Sequence, residues 1–515
     1  MEIDAAQYAA LSMEMLQTGN FLEIFLRGEN YLDKPPLTFW LTSASFALFG
    51  LNDIAYRIPN FLFSLLAFYC TFRFTKLYYQ ESVAWLAILI LGSTQAFFLI
   101  NHDCRTDTFL TGAVAFSIWQ LSAYLKSNKW QFLIGSGIGI GLSLLSKGPI
   151  GLVIPILAFG PHLVLQRKLK AIFDWKWVIV LFIVSIMLLP MCIGLYKQYG
   201  VYGLRFYFWI QSFGRITGES SWDNGTGYFF LLQNHLWSFA PWIIFFFLAI
   251  FLGLKRAFHN VLKPDATKEF VSLFGFILPF IAFSTSHYQL PHYIFVLYPM
   301  AAVFTAHYII EIYQNWNKKV VLNVAQCILL AGYLALIIYL IFFCFHRFDI
   351  TSIAYFLSLG FLYLVLNKVK SKGDRIIYFS IAMYTWLNLG LNGIVYPTLL
   401  TYQTGSDAAF AARRQNVPLG KIMCFITDGG FAMDFYLHRV TLKINDPAYL
   451  TQNNLSGNYV FTNELGMKSL KNAGYSLDTI YHGKDYHVTT LTPQFLNPDT
   501  RYKTLENKYL VKVKK

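Results

Sequence analysis

Tyr31-Leu32-Asp33-Lys34-Pro35-Pro36-Leu37 is the stretch on which the reading of this chain turns. Pro35 and Pro36 exclude helix before them, while their fixed φ suits the first turn of a helix after them. Asp33 and Lys34 therefore sit on a rigid corner where the apolar run from Leu37 begins. Charges held at the edge of a hydrophobic region are costly and mark function. Upstream lies an acidic head, Glu2-Ile3-Asp4, followed by an amphipathic segment from Ala5 to Leu16. In it Tyr8, Leu11, Met15 and Leu16 recur at helical spacing. A Gly19-Asn20 break follows, then a short apolar piece ending at Arg27-Gly28-Glu29-Asn30.

Composition says what kind of hydrophobic region this is. Of 515 residues 56% are hydrophobic and 13% charged, about half the charge of an ordinary soluble protein. The 49 Phe and 33 Tyr suit lipid-facing surfaces and interfacial belts. The chain reads as a polytopic α-helical membrane protein. Six cysteines (Cys70, Cys104, Cys192, Cys327, Cys344, Cys424) show no paired spacing and read as small buried hydrophobes.

Apolar runs of spanning length fall at 56–72, 83–100, 108–125, 131–146, 149–165, 177–196, 228–254, 270–284, 293–312, 320–345, 351–367 and 376–396, giving about 12 spans. Leu37 to Phe49 is short for a span and reads as a helix lying at the interface. Alternate connections carry Arg73 and Lys76; Lys126 and Lys129; Arg167, Lys168, Lys170 and Lys176; Lys255, Arg256, Lys263 and Lys268; Lys318 and Lys319; and Lys368, Lys370, Lys372 and Arg375. By the positive-inside rule those connections are cytoplasmic. The net charge of +14 thus follows topology rather than nucleic-acid binding. Asp4, Asp33, Lys34, Asp103, Arg105, Asp107, Lys147, Arg215 and the loop 197–227 then fall outside. This divides the chain into a first external loop (1–55), a transmembrane helical domain (56–397) and an external α/β domain (398–515). The α/β reading rests on strand-like 421–426 and 459–462 and on helical patterns at 407–414 and 464–472.

Several external residues also have plain structural readings. Asp107 in Asn101-His102-Asp103-Cys104-Arg105-Thr106-Asp107 could cap the helix beginning at Thr108. Lys147 in Ser146-Lys147-Gly148-Pro149 could snorkel at a break between spans. His102, His287 and His292 lack partners at metal-ligand spacing and read as interfacial histidines.

Taken together and in order, Asp4 with Tyr8, the Asp33-Lys34-Pro35-Pro36 corner, Arg105-Thr106-Asp107, Ser146-Lys147-Gly148-Pro149, Pro241-Trp242, and Phe283 to Ser286 before Leu290-Pro291-His292-Tyr293 form a series. It resembles the GT-C class of membrane glycosyltransferases that use polyprenyl-phosphate sugars. The similarity is to the protein O-mannosyltransferases (family 39) and the lipid A aminoarabinose transferases (family 83). The resemblance implies 13 spans. It implies Asp4 as catalytic base, Asp107 as the second external aspartate, and Lys34 as the lysine on the donor phosphate. Asp33 stands where relatives mostly have a glutamate linked to metal binding, and Arg215 matches an arginine usually preceded by a Glu-rich or His-containing stretch. Gln211 stands where relatives have Glu, and Gln289 where many have Lys. A span directly before the catalytic aspartate is also implied, so a further apolar segment is expected upstream of Glu2.

The chemistry suits these residue types. Lys34, with Arg215 or Lys147, would neutralise the charge growing on a departing lipid phosphate. Asp4 would take the proton of an acceptor hydroxyl attacking the anomeric carbon from the opposite face, inverting it. Acceptors open on this reading are a lipid, a glycan or a protein. The contrasting readings are a lipid-linked-sugar flippase or transporter, which needs mid-span charges and related halves, and a structural membrane protein with an external binding domain.

Overall fold

The structure, a computed structural model, describes residues 3–102, 104–219, 222–315, 319–368, 372–427 and 430–515; Glu2, Asp103, Lys318 and Lys370 lie outside them. Every apolar run becomes helical, but the helices are not uniform spans. Five among the described residues are long and apolar enough to cross a membrane, or six when Glu81–Ser93 and Gln95–Asn101, bent by 62°, are joined. Along the chain, runs also divide, carry charge or are short. Run 228–254 breaks into Phe230–Ser238 and Ile243–Leu262 around Pro241. Asp53–Tyr78 holds Arg57, Arg73 and Lys76 within its 26 residues. Ile150–Leu165 and Val271–Ser284 have 16 and 14 residues.

At the centre, Thr106–Ser127 packs between Asp53–Tyr78 and Trp130–Lys147, and the latter packs in turn on Trp177–Tyr199. Small residues make this possible. Added Cβ atoms on Gly135 and Gly139 would meet Gln120 and Ser117 at 2.5 and 2.8 Å; those on Gly137 and Gly141 would meet Ile183 and Met187 at 3.1 and 2.5 Å. Gly135-Ser136-Gly137-Ile138-Gly139-Ile140-Gly141 thus lets one helix touch neighbours on two sides, as lipid-immersed helices require.

The end of the bundle that holds Asp33 and Lys34 is built on the corner read from the sequence. Pro36 precedes helix Leu37–Phe49, whose Trp40 amide donates to the Pro36 carbonyl at 2.9 Å. Helix Ile3–Thr18 lies against it, with Ser43 donating to the Ser12 carbonyl at 2.8 Å. Between them the chain makes a short hairpin, Phe25–Leu26 with Glu29–Asn30. Gln198 clamps it, accepting from the Ile24 amide at 3.0 Å and donating to the Ile24 carbonyl at 2.9 Å. Glu14 accepts from the amides of Arg27 and Gly28, both at 2.7 Å, and closes the turn.

Residues beyond Thr404 form a five-stranded sheet in the order Leu442–Ile444, Ile422–Phe425, Tyr459–Asn463, Glu506–Lys514, Ser476–Asp485. The first three strands are parallel and the last two run antiparallel. Ile422–Phe425 is buried throughout, as an apolar strand inside a sheet should be. Helix Phe431–Leu437 leans from this sheet onto Ile3–Thr18. There Arg27 pairs with Asp434 at 2.7 Å and lies over the Phe431 ring, Tyr436 donates to Asp53 at 2.9 Å, and Phe435 packs on Phe46 and Tyr56. Burial pushes the Asp434 carboxyl above its ordinary range, against the pull of Arg27 and Thr441.

Candidate functional site

The charged residues singled out in the sequence converge at one end of the bundle, delivered by several elements. Asp4 enters from the first turn of Ile3–Thr18 and keeps about half its side chain exposed, 49%. Arg105, at the start of Thr106–Ser127, donates to it at 3.3 Å. The same guanidinium nitrogen lies 3.2 Å from Nδ1 of His292, whose Nε2 faces Asp107 Oδ2 at 3.7 Å. Asp107 accepts from Lys147 at 2.5 Å, and the ammonium also lies 4.1 Å above the Tyr293 ring. Tyr293 in turn accepts from Arg215 at 2.9 Å. Contacts therefore run from Asp4 to Arg215 across five elements.

Two structural readings of these residues are corrected. Asp107 does not cap a helix beginning at Thr108: the helix starts at Thr106, and the carboxylate points at Lys147 from inside the first turn. A buried anion at that helix end gains from the peptide dipoles and from its cation. Lys147 does not snorkel to water; it is 18% exposed and held by Asp107 and Tyr293. Gly148, at φ +83°, ends its helix in a conformation open to glycine, and Pro149 starts the next. His292 is drawn into the cluster between Arg105 and Asp107. Its only sequence signal was its place in Leu290-Pro291-His292-Tyr293.

The corner forms a second half of the site. Lys34 pairs with Asp33 at 2.8 Å, and Gln211 donates to the Asp33 carboxylate at 3.2 Å and to its carbonyl. Lys147 lies within electrostatic reach of both Lys34 and Arg215. Arg215 is 9% exposed, stacks on Trp222 and Tyr288, and leaves Nε without a partner among the described residues. Three neighbouring cations with an unsatisfied donor suit an anion. Beside Lys34 a largely apolar cleft opens between Pro36, Tyr31, Met191, Leu195 and Tyr207. Tyr8 sits beneath; burial pushes its hydroxyl well above the ordinary range, with Tyr31, Asp4 and Asp33 adding.

The divalent metal implied at Asp33 does not fit these surroundings. Its carboxylate already faces an ammonium and an amide donor, and among the described residues no three His, Cys, Asp or Glu side chains converge. No step is routed through a metal here.

This fold is that of the solved ArnT structures, and the chain resembles the protein O-mannosyltransferase and aminoarabinose transferase group. The crystal structure of ArnT from Cupriavidus metallidurans bound to undecaprenyl phosphate superposes with a TM-score of 0.76 at 16% identity, covering 99% of this chain and 93% of that one. The Archaeoglobus fulgidus oligosaccharyltransferase gives 0.52 at 13% identity, covering 93% of this chain and 66% of that one. The dolichyl-phosphate-mannose-protein mannosyltransferase family model matches residues 33–193. The undecaprenyl phosphate-alpha-4-amino-4-deoxy-L-arabinose arabinosyl transferase of Shewanella sediminis is 25% identical over 322 residues, 61% of this chain. An uncharacterized protein of Aquifex aeolicus is 27% identical over 343 residues, 64% of each chain. The chain spans 57% of the length of the Shewanella relative.

Proposed function

We propose that the protein is an inner-membrane, multi-pass glycosyltransferase that moves a pentose or hexose from a polyprenyl-phosphate donor to a lipid, glycan or protein hydroxyl on the extracytoplasmic face. The observation that carries this reading is one half-exposed carboxylate beside a cationic cluster at the mouth of an apolar cleft. Lys34, Lys147 and Arg215 hold the donor phosphate, and the prenyl chain lies along the cleft toward Met191 and Leu195. The acceptor oxygen forms its bond to the anomeric carbon as the bond to phosphate oxygen breaks. The polyprenyl phosphate leaves with the electron pair, the acceptor proton passes to Asp4, and the anomeric centre inverts. Asp4 suits the base because it is half exposed, whereas Asp33 and Asp107 are held by lysines at 2.8 and 2.5 Å. Asp107 then keeps Lys147 aimed at the phosphate rather than accepting the proton. The external domain beyond residue 398 braces the helix that carries Asp4.

The test is transfer of labelled sugar from undecaprenyl-phosphate donors by the purified protein in proteoliposomes. Asp4→Asn is expected to lower kcat by about 10²–10⁴-fold, the usual loss for a general base, with undecaprenyl phosphate still bound. Wild-type turnover in Asp4→Asn removes Asp4 from that role. Lipid crossing the vesicle with no sugar ever leaving its donor would make the protein a flippase.

A further inference from the structure

The histidine of Leu290-Pro291-His292-Tyr293 has no role in the transfer described above, yet it occupies the middle of the charged chain. It enters on a 3-10 turn, Pro291–Leu297, that packs against the start of Thr106–Ser127. That turn sets the imidazole between two groups of opposite sign, with 16% of the side chain exposed. Arg105 Nη1 lies 3.2 Å from Nδ1, and Asp107 Oδ2 lies 3.7 Å from Nε2.

The geometry fixes the tautomer. A guanidinium only donates, so Nδ1 must be the unprotonated, accepting nitrogen. The ring proton then sits on Nε2, directed at the Asp107 carboxylate. A neutral imidazole so arranged accepts a hydrogen bond from Arg105 and turns its N–H toward the Asp107 carboxylate, 3.7 Å away. Its two partners reach opposite halves of the site: Arg105 continues to Asp4 at 3.3 Å, and Asp107 continues to Lys147 at 2.5 Å. Asp4, being half exposed and on the first turn of its helix, has little packing of its own to orient it.

We infer that His292 is a positioning residue for the transfer: it holds Arg105, and through it Asp4, in register with the Asp107–Lys147 pair. This rests on the glycosyl-transfer reading above. The residue touches neither donor nor acceptor in this role; it sets the distance between the proton acceptor and the cation on the leaving phosphate. A glutamine can repeat both approaches, its amide oxygen accepting from Arg105 and its amide N–H turned toward Asp107. A leucine of similar bulk can repeat neither.

The experiment compares wild type, His292→Leu and His292→Gln in the proteoliposome transfer assay, with binding of undecaprenyl phosphate measured on the same samples. His292→Leu is expected to lower kcat about 10- to 100-fold, with KM and donor Kd within about threefold, because orientation and not binding is lost. His292→Gln is expected to stay within about threefold of wild-type kcat. A purely packing role would instead spare Leu and not favour Gln. Wild-type kcat in His292→Leu overturns the inference while leaving the transferase reading intact. Should His292→Leu not fold, His292→Gln decides alone: a loss beyond about tenfold in folded, donor-binding protein overturns it. Absence of transfer by wild type overturns the function reading and this inference with it.

Discussion

Asp107 and Asp4 lie in one charged cluster, but their surroundings suit them to different work. Asp107 is 2% exposed and its carboxylate balances Lys147; Asp4 is half exposed and its pair with Arg105 is longer. Removing one member of a buried pair strands the other charge, at a cost of about 3–5 kcal/mol, whereas an exposed pair is worth under about 1 kcal/mol. Asp107→Asn is therefore expected to lower the thermal midpoint of the detergent-solubilised protein by several degrees as well as its activity. Asp4→Asn is expected to keep the wild-type midpoint and lose activity alone. Differential scanning fluorimetry beside the transfer assay checks the contrast; an unchanged midpoint in Asp107→Asn would count against a buried pair.

Elements are held at their distances by residues with almost no side chain. An added Cβ on Gly139 would sit 2.8 Å from the Ser117 backbone, which cannot swing away as a flexible side chain would. Gly139→Val should force Trp130–Lys147 away from Thr106–Ser127, costing about 1–3 kcal/mol for overpacking. It should also displace Lys147 from Asp107, since one residue sits on each helix. Gly332 in Lys319–Ile338 meets nothing within 4 Å, so Gly332→Ala should be neutral or slightly stabilising. Thermal unfolding of the two variants, with activity for Gly139→Val, measures the difference. Equal behaviour of both would mean that helix contact here does not depend on the glycines.

Across the whole molecule, the first helix is gripped from the far end of the chain. Asp434 is fully buried and Arg27 is its cation, 407 residues away, beside the Tyr436–Asp53 bond and the Phe435 ring stack. Arg27→Ala leaves the Asp434 carboxyl without that partner and is expected to loosen this junction. Hydrogen exchange should rise in Ile3–Thr18 and Phe431–Leu437 together, and transfer should fall because Asp4 rides on the first of these. Faster exchange confined to Phe431–Leu437 would show that the two are not coupled. On the proposed orientation, a reporter active only outside the cytoplasm should be active after residue 400 and silent near Lys319; the opposite pattern would reverse the sidedness of the site.

The sequence by itself determined the class and most of the local structure. Hydrophobic runs, two prolines and a glycine–proline break are short-range signals, and they place the helix after Pro36, the break at Gly148 and the strand at Ile422–Phe425. Motif order was enough to single out Asp4, Lys34, Asp107, Lys147 and Arg215. What only the tertiary structure decided is which charge meets which. Asp107 looks like a helix cap until the neighbouring helix brings Lys147 to it, and His292 looks incidental until its turn sets it between Arg105 and Asp107. The run 228–254 reads as one apolar segment and is two helices, because hydropathy does not register how a chain breaks around Pro241. The pairing of Arg27 with Asp434 leaves no trace in either local stretch. Partners so far apart in the chain are chosen by packing of the whole bundle, and packing has no period that a sequence displays.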